Sequence, residues 1–299
     1  MPPRPKPATP TLRRNGKRVL QALSATPVRS TLKRLLASTP QRRVLGLDIN
    51  TNSTGYAVLN THGRVCQWGH ISTAHLPSSS VLDISHTISQ ELLKVHDSLA
   101  TQPLEWHVGI EDFMRMYRFG QYHNKGIFQL AQLNGIVSYT CWQRFRARPM
   151  HTHPTAARAL FGINAGKSGA KMVKNDVMKF VLEHEAASQA LQVLEEHRRG
   201  GIFSDVAYDM ADAYIVAQHT RWMALQEALQ HDDTLLTAFG DAYLTALNPT
   251  GETKSKSKQT MEEQALEIMD ARAKRSYLHS LFVTGISDWI KTQALQTET

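Results

Sequence analysis

Only two cysteines, Cys66 and Cys141, occur in the 299 residues, with no short Cys-Cys spacing between them. That argues against a disulfide framework and against a cysteine-rich zinc or redox site, and it fits a reducing compartment. Long hydrophobic runs are also missing. No stretch approaches the roughly 18 apolar residues of a membrane span, so no membrane partner is expected. Acidic residues are absent from positions 1–43, which carry eleven Lys or Arg, and absent again from Phe113 to Asn175, which carries ten.

The net charge of +8 is therefore uneven. Beyond position 43, 23 basic residues face 26 acidic ones, so affinity for nucleic acid requires a local patch. The second acid-free stretch supplies one. Arg115, Arg118, Lys125, Arg144, Arg158, Lys167, Lys171 and Lys174 interleave there with Tyr117, Phe119, Tyr122, Trp142 and Phe145. Cations without counter-charges beside stacking aromatics are the pattern of a phosphate-binding surface. Residues 1–42 are rich in Pro, Ser, Thr and Arg, with a weak basic amphipathic helix predicted over Val19 to Leu36. The composition is that of a mitochondrial transit peptide directing the chain to the matrix, or else of a basic arm that binds nucleic acid. Both readings place it outside the fold.

What is present next is a strand bearing one acid. Val44-Leu-Gly-Leu-Asp48 reads as a buried strand, Asn50 to Thr54 as a turn, and Tyr56-Ala-Val-Leu59 as the returning strand. Val65 to Ile71 is a third strand, and Leu82 to Leu99, behind Ser80 as N-cap, is a helix by its apolar spacing. Trp106 to Ile110 is a strand ending at Glu111. Lys125 to Arg144 is a helix, Arg148 to Thr152 a short strand, and Pro154 to Leu160 a helix begun by proline. Lys171 to Glu185 and Ile202 to Met223 follow as helices. Residues 223–299 are read as a helical extension with a linker at 248–259. This is an α/β order with a mixed sheet.

A bare aspartate in a buried strand costs several kcal/mol unless something pairs with it. Asp48 needs such a partner. Asp209 and Asp212, three apart on one helix, share a face and repel each other. A hard divalent cation resolves both problems: Mg²⁺ is held by one or two carboxylates, with waters and substrate phosphate completing its shell. Two such ions can drive an in-line phosphoryl displacement.

Gly46-Leu-Asp48, Thr54-Gly55-Tyr-Ala-Val, Gly109-Ile-Glu111 and Asp209-Met-Ala-Asp212-Ala together resemble the signature blocks of RuvC-type Holliday junction resolvases, within the RNase H-like superfamily. The resemblance covers roughly 43–222, and Gln129 to Gly135 looks like the helix that helps form the family's dimer. It implies an RNase H-like mixed five-stranded sheet flanked by helices. It further implies Asp48, Glu111, Asp209 and Asp212 as catalytic, metal-binding carboxylates for two Mg²⁺ ions, with Mn²⁺ as a substitute. The implied activity is a homodimeric endodeoxyribonuclease that resolves four-way DNA junctions by paired nicks and leaves 5′-phosphate ends. Arg115, Arg118, Lys125, Lys167, Lys171, Lys174 and Phe113 are the expected nucleic-acid contacts. In bacterial members an aromatic wedge sits three residues after the glutamate; Met114 holds that place here, with Phe113 one residue earlier.

Two other classes of function stay open. The same scaffold could bind structured RNA without cutting it, as a mitochondrial ribosome assembly factor does, or could cut RNA or hybrids. Gly162 to Ser168 mimics a phosphate loop, but its glycine spacing is one residue short and no clear strand precedes it. His151 and His153 share a face without a third ligand of their kind and read as a strand-end pair.

Overall fold

The computed structural model describes residues 15–37, 42–77, 80–99, 105–112, 124–163, 170–186, 188, 190–248 and 260–296. The chain divides into two units, one formed by 40–224 with 293–299 and one by 1–39 with 225–292. Each is built around its own core.

In the first unit, β1 (Arg42–Ile49) turns back through β2 (Ser53–Leu59) and β3 (Val65–Ser72) as an antiparallel meander. Helix α3 (Val81–Leu99) then crosses over to β4 (Glu105–Glu111), which lies parallel to β1. Helix α4 (Asn124–Arg144) leads to the short β5 (Met150–Thr152), parallel to β4. The sheet order is β3-β2-β1-β4-β5. This is an RNase H-like architecture, mixed and five-stranded as expected. Leu45, Leu47 and Ile49 on β1 and Val108 and Ile110 on β4 pack with Ile84, Ile88 and Leu92 of α3 and Leu133 and Val137 of α4.

Helices α5 (Pro154–Leu160), α6 (Ala170–His184) and α7 (Leu191–Glu195) follow, then a two-stranded hairpin of β6 (Arg198–Arg199) and β7 (Ile202–Phe203), then α8 (Asp205–Gln230). The hairpin corrects the helix expected from Ile202. Gly200 and Gly201 both adopt positive φ, +57° and +82°, which closes a two-residue hairpin turn, and the helix starts only after Ser204. Helix α8 is fixed on α6 and the β2–β3 turn by a buried chain of bonds. The Tyr214 hydroxyl donates to Glu185 at 3.0 Å and accepts from Gln218 Nε2 at 2.8 Å, and Gln218 also donates to the Gly63 carbonyl at 2.6 Å.

The opposite side of the sheet carries glycine at three positions where α8 comes closest. A Cβ on Gly46 would lie 2.2 Å from the Ala213 carbonyl oxygen, and one on Gly55 would lie 2.2 Å from that of Asp209. One on Gly109 would lie 1.9 Å from Thr220 Oγ1. Gly46 and Gly109 are direct partners across β1 and β4. Together the three glycines form a trough in which α8 touches the sheet, by its backbone at Gly46 and Gly55 and by the Thr220 and Val216 side chains at Gly109.

In the second unit, residues of the N-terminal arm are part of the fold, contrary to the expectation that it lies outside. Helices α1 (Gly16–Ser24) and α2 (Thr26–Ala37) bury Val19, Ala22, Leu23, Val28 and Leu32. They pack with α9 (Asp233–Leu247), α10 (Met261–Ile268) and α11 (Ala271–Gln296). Glu262 is the hub. Its carboxylate accepts from Tyr243 (2.5 Å), Tyr277 (2.8 Å), Asn15 (3.1 Å) and Arg18 (2.8 Å), which ties the arm to three helices. The linker expected at 248–259 falls, but for Asn248, outside the described residues.

Two stability tests follow from this packing. Gly55→Ala is expected to cost about 3 kcal/mol, the upper range of overpacking, because the clash is with helix backbone. Gly126→Ala, on α4 with nothing within 4 Å, is expected to gain up to about 1 kcal/mol of helix propensity. Urea unfolding of both variants checks the contrast. A chain begun at residue 43 lacks α1 and α2, and calorimetry should show its helical unit melting earlier or not cooperatively, with the sheet unit unchanged.

Candidate functional site

Leu47 pairs with Ile110 across the parallel strands, so the next residues, Asp48 and Glu111, stand side by side at the strand ends. Two positions upstream on each strand is a trough glycine, Gly46 or Gly109. Side chains two apart share a face of a strand, so both acids point to the face on which α8 lies. Asp48 also pairs with Gly55, and Gly55 is where the helix backbone at Asp209 makes its closest approach. The trough thereby brings Asp209 and Asp212 to the two strand-end acids. All four residues expected from the sequence converge.

Their electrostatics show the convergence. Burial, then the charges of Glu111, Asp212 and Asp209, holds the Asp48 carboxyl well above the ordinary aspartate range. Burial and Asp212 push Glu111 up to about 7. Asp209 is raised by burial, with Lys174 working against the rise. Asp212 is only 8% exposed. Crowded carboxyls with raised pKa values mark a place where ionised groups lack enough positive charge.

One cation is already there. Arg158, on α5, donates from its guanidinium to Asp212 Oδ1 at 2.8 Å and lowers the proton affinity of Asp48 and Glu111. Its own guanidinium, disfavoured by burial, is held charged by Asp212, Glu111 and Asp48. Sequence reading placed Arg158 in the basic stretch but not in the site. The useful signal was positional: Arg158 stands in a helix that starts right after β5, whose Thr152 pairs with Glu111.

Among the described residues, no group of three or more His, Cys, Asp or Glu side chains is arranged as it stands to hold a metal ion. That does not disqualify a hard cation, since Mg²⁺ takes one or two carboxylates and leaves the rest of its shell to waters and phosphate. The donor set, all carboxylate oxygen and short of positive charge, suits such an ion.

Of the expected nucleic-acid contacts, Lys174 is beside the site. Its ammonium lies 5.5 Å from the centre of the Tyr208 ring and 4.0 Å from Asp205. Phe113, Arg115, Arg118 and Lys167 lie outside the described residues, as does Met114. Lys125 and Lys171 fall in the first turns of α4 and α6, with side chains outside the described set. His153 caps α5, accepting from the Thr155 amide at 3.3 Å, and His151 meets Ser138 at 3.1 Å.

No protein-family model matches the chain, and no curated protein sequence does. Solved structures similar to it include Thermus thermophilus RuvC in complex with a Holliday junction substrate, at 14% identity and TM-score 0.39 over 62% of this chain and 96% of that one. Thermus thermophilus RuvC by itself is also similar, at 14% and 0.39 over 61% and 96%. So is the yeast mitochondrial Holliday junction resolvase Ydc2, at 15% and 0.44 over 78% and 98%. Each is matched over nearly its whole length, and those whose names state an activity or substrate concern Holliday junctions.

Proposed function

We propose that this chain is a divalent-cation-dependent, structure-selective endonuclease that resolves four-way DNA junctions by paired nicks, acting as a homodimer in the mitochondrial matrix. The observation that carries this reading is the convergence of Asp48, Glu111, Asp209 and Asp212, enforced by three glycines that let α8 lie on the sheet. In it, Asp48 and Glu111 hold Mg²⁺ at the strand ends, and Asp209 and Asp212 hold it from the helix. Two divalent ions held there would supply Lewis acidity for phosphodiester hydrolysis, for which the proposed product end is a 5′-phosphate. Lys174 and the acid-free stretch hold the DNA backbone. Four carboxylates that repel without a cation favour cutting over a scaffold that only binds RNA, since a binding surface gains nothing from them.

The dimer reading rests on α4. Phe128, Gln132, Gly135, Tyr139 and Trp142 are all exposed and recur at alternating spacings of four and three, which is one stripe of a helix. Three of them are large aromatics, 67%, 57% and 56% exposed. Gly135 at the centre has nothing within 4 Å, leaving room for a second helix to cross closely. A two-fold pair sets two sites on opposed strands of a junction. The acid-free N-terminal residues support the mitochondrial address, with any cleavage falling before Asn15, whose side chain is already bonded to Glu262 and Tyr277.

Cleavage of a labelled four-way junction by the full chain in Mg²⁺ tests the central reading, beside linear duplex and structured RNA as competitors. Paired nicks reduced to background by Asp48→Asn and by Asp209→Asn are expected. Tight RNA binding without any cutting, indifferent to both changes, would defeat it. Trp142→Glu is expected to give a monomer by light scattering and to convert paired nicks into single ones.

The raised carboxyls give a pH test. A carboxyl whose folded pKa exceeds its unfolded value takes up a proton on folding, so its stabilisation is full below the unfolded value and lost as pH rises through the folded one. For Glu111 that window runs from 4.5 to about 7. Without divalent cations the melting temperature should therefore fall as pH rises across this window, and Mg²⁺ should restore it at pH 8. Asp48→Asn should flatten the fall and shrink the Mg²⁺ effect.

A further inference from the structure

Arg158 bonds one oxygen of the Asp212 carboxylate, Oδ1, so a cation on that carboxylate would share it with the guanidinium. Its NH2 group is 2.8 Å from Asp212 Oδ1, and only 21% of the arginine side chain and 11% of the aspartate side chain are exposed. A guanidinium and a divalent ion on one carboxylate repel each other at short range, and the partly buried setting screens that repulsion weakly. A guanidinium driven off Asp212 cannot remain unpaired there, since an isolated charge with little access to water is costly. The anion that arrives with the substrate is the phosphodiester, and the planar fork of arginine matches its oxygens.

We propose that Arg158 is an exchangeable counter-ion: it neutralises Asp212 in the cation-free protein, and on cation binding it transfers from Asp212 to a phosphate oxygen of the bound strand. This rests on the nuclease reading above. It makes Arg158 a positioning residue that couples cation binding to DNA binding. The place of α5 suits the role. Pro154 starts the helix directly after β5, Ala157 and Leu160 bury its other side, and Arg158 is left one turn in, facing Asp212.

The test is a cycle of binding measurements on the full chain, using anisotropy of a labelled four-way junction in EDTA and in Ca²⁺. Wild type, Arg158→Gln and Arg158→Lys are compared, with circular dichroism to check folding. Loss of a charge-assisted bond predicts about tenfold weaker binding of Arg158→Gln in Ca²⁺ and a change within about twofold in EDTA. Arg158→Lys, which keeps the charge but not the fork, should fall between. The Mn²⁺ concentration at half-maximal thermal stabilisation, measured without DNA, should drop about fivefold in Arg158→Gln because its competitor is gone.

Equal weakening in EDTA and Ca²⁺ would show a plain phosphate contact and overturn the exchange. An unchanged Mn²⁺ midpoint would overturn it as well. Wild type that binds the junction identically in both solutions would remove the cation reading itself, and this inference with it.

Discussion

Close contact between α8 and the glycine positions of β1, β2 and β4 is the constraint on which the rest depends. At Gly46, Gly55 and Gly109 the sheet puts no side chain of its own under the helix, so the acids of one are held against the acids of the other. A larger residue at Gly46 or Gly55 would meet helix backbone and press α8 away from the sheet, and the carboxylates with it. The buried Tyr214, Glu185 and Gln218 bonds act on the same contact from the side, fixing how far along the sheet the helix sits.

This arrangement stores unfavourable energy where a ligand can release it. Burial and mutual repulsion raise three of the carboxyls, and the fold tolerates this because the glycine contacts and the apolar core beneath the strands offset it. Arg158 moderates the repulsion without abolishing it. A donor set of this kind suits a hard cation, which needs no closed cage of ligands.

Much of this was legible in the chain. Short β-branched runs bounded by turn residues marked β1 to β4, and Pro154 marked the start of α5 to the residue. The four acids were recognisable as a set because each ends a strand or pairs at helical spacing. The glycine that precedes Asp48 by two also precedes Glu111 by two, a repeated pattern whose meaning depends on a helix a hundred residues later. Arg158 was harder: its partner is 54 positions away, and among ten basic residues only its place in the helix after β5 distinguishes it. The β6–β7 hairpin was hidden because Ile202 and Phe203 extend the apolar pattern of α8; the left-handed Gly200 and Gly201 turn them back onto β6, and the helix begins only after Ser204. The fate of the arm was illegible for a similar reason. Val19, Ala22 and Leu23 find their cover on helices more than 200 residues downstream.

That last feature means the sheet unit is inserted into the helical one: residues 40–224 interrupt a unit whose pieces are 1–39 and 225–292. The order of synthesis and the order of folding therefore differ. The sheet unit can complete most of its core as soon as α8 is made, whereas α1 and α2 wait with their apolar faces uncovered until α9, α10 and α11 exist. Chains emerge at about 5–20 residues per second, so the interval is long on the scale of helix formation and collapse. Throughout it the arm is a basic amphipathic segment open to other factors, and it ceases to be one when Glu262 engages Asn15 and Arg18. The arm is thus made well before the helices that cover it, and its apolar faces are committed only once those helices exist.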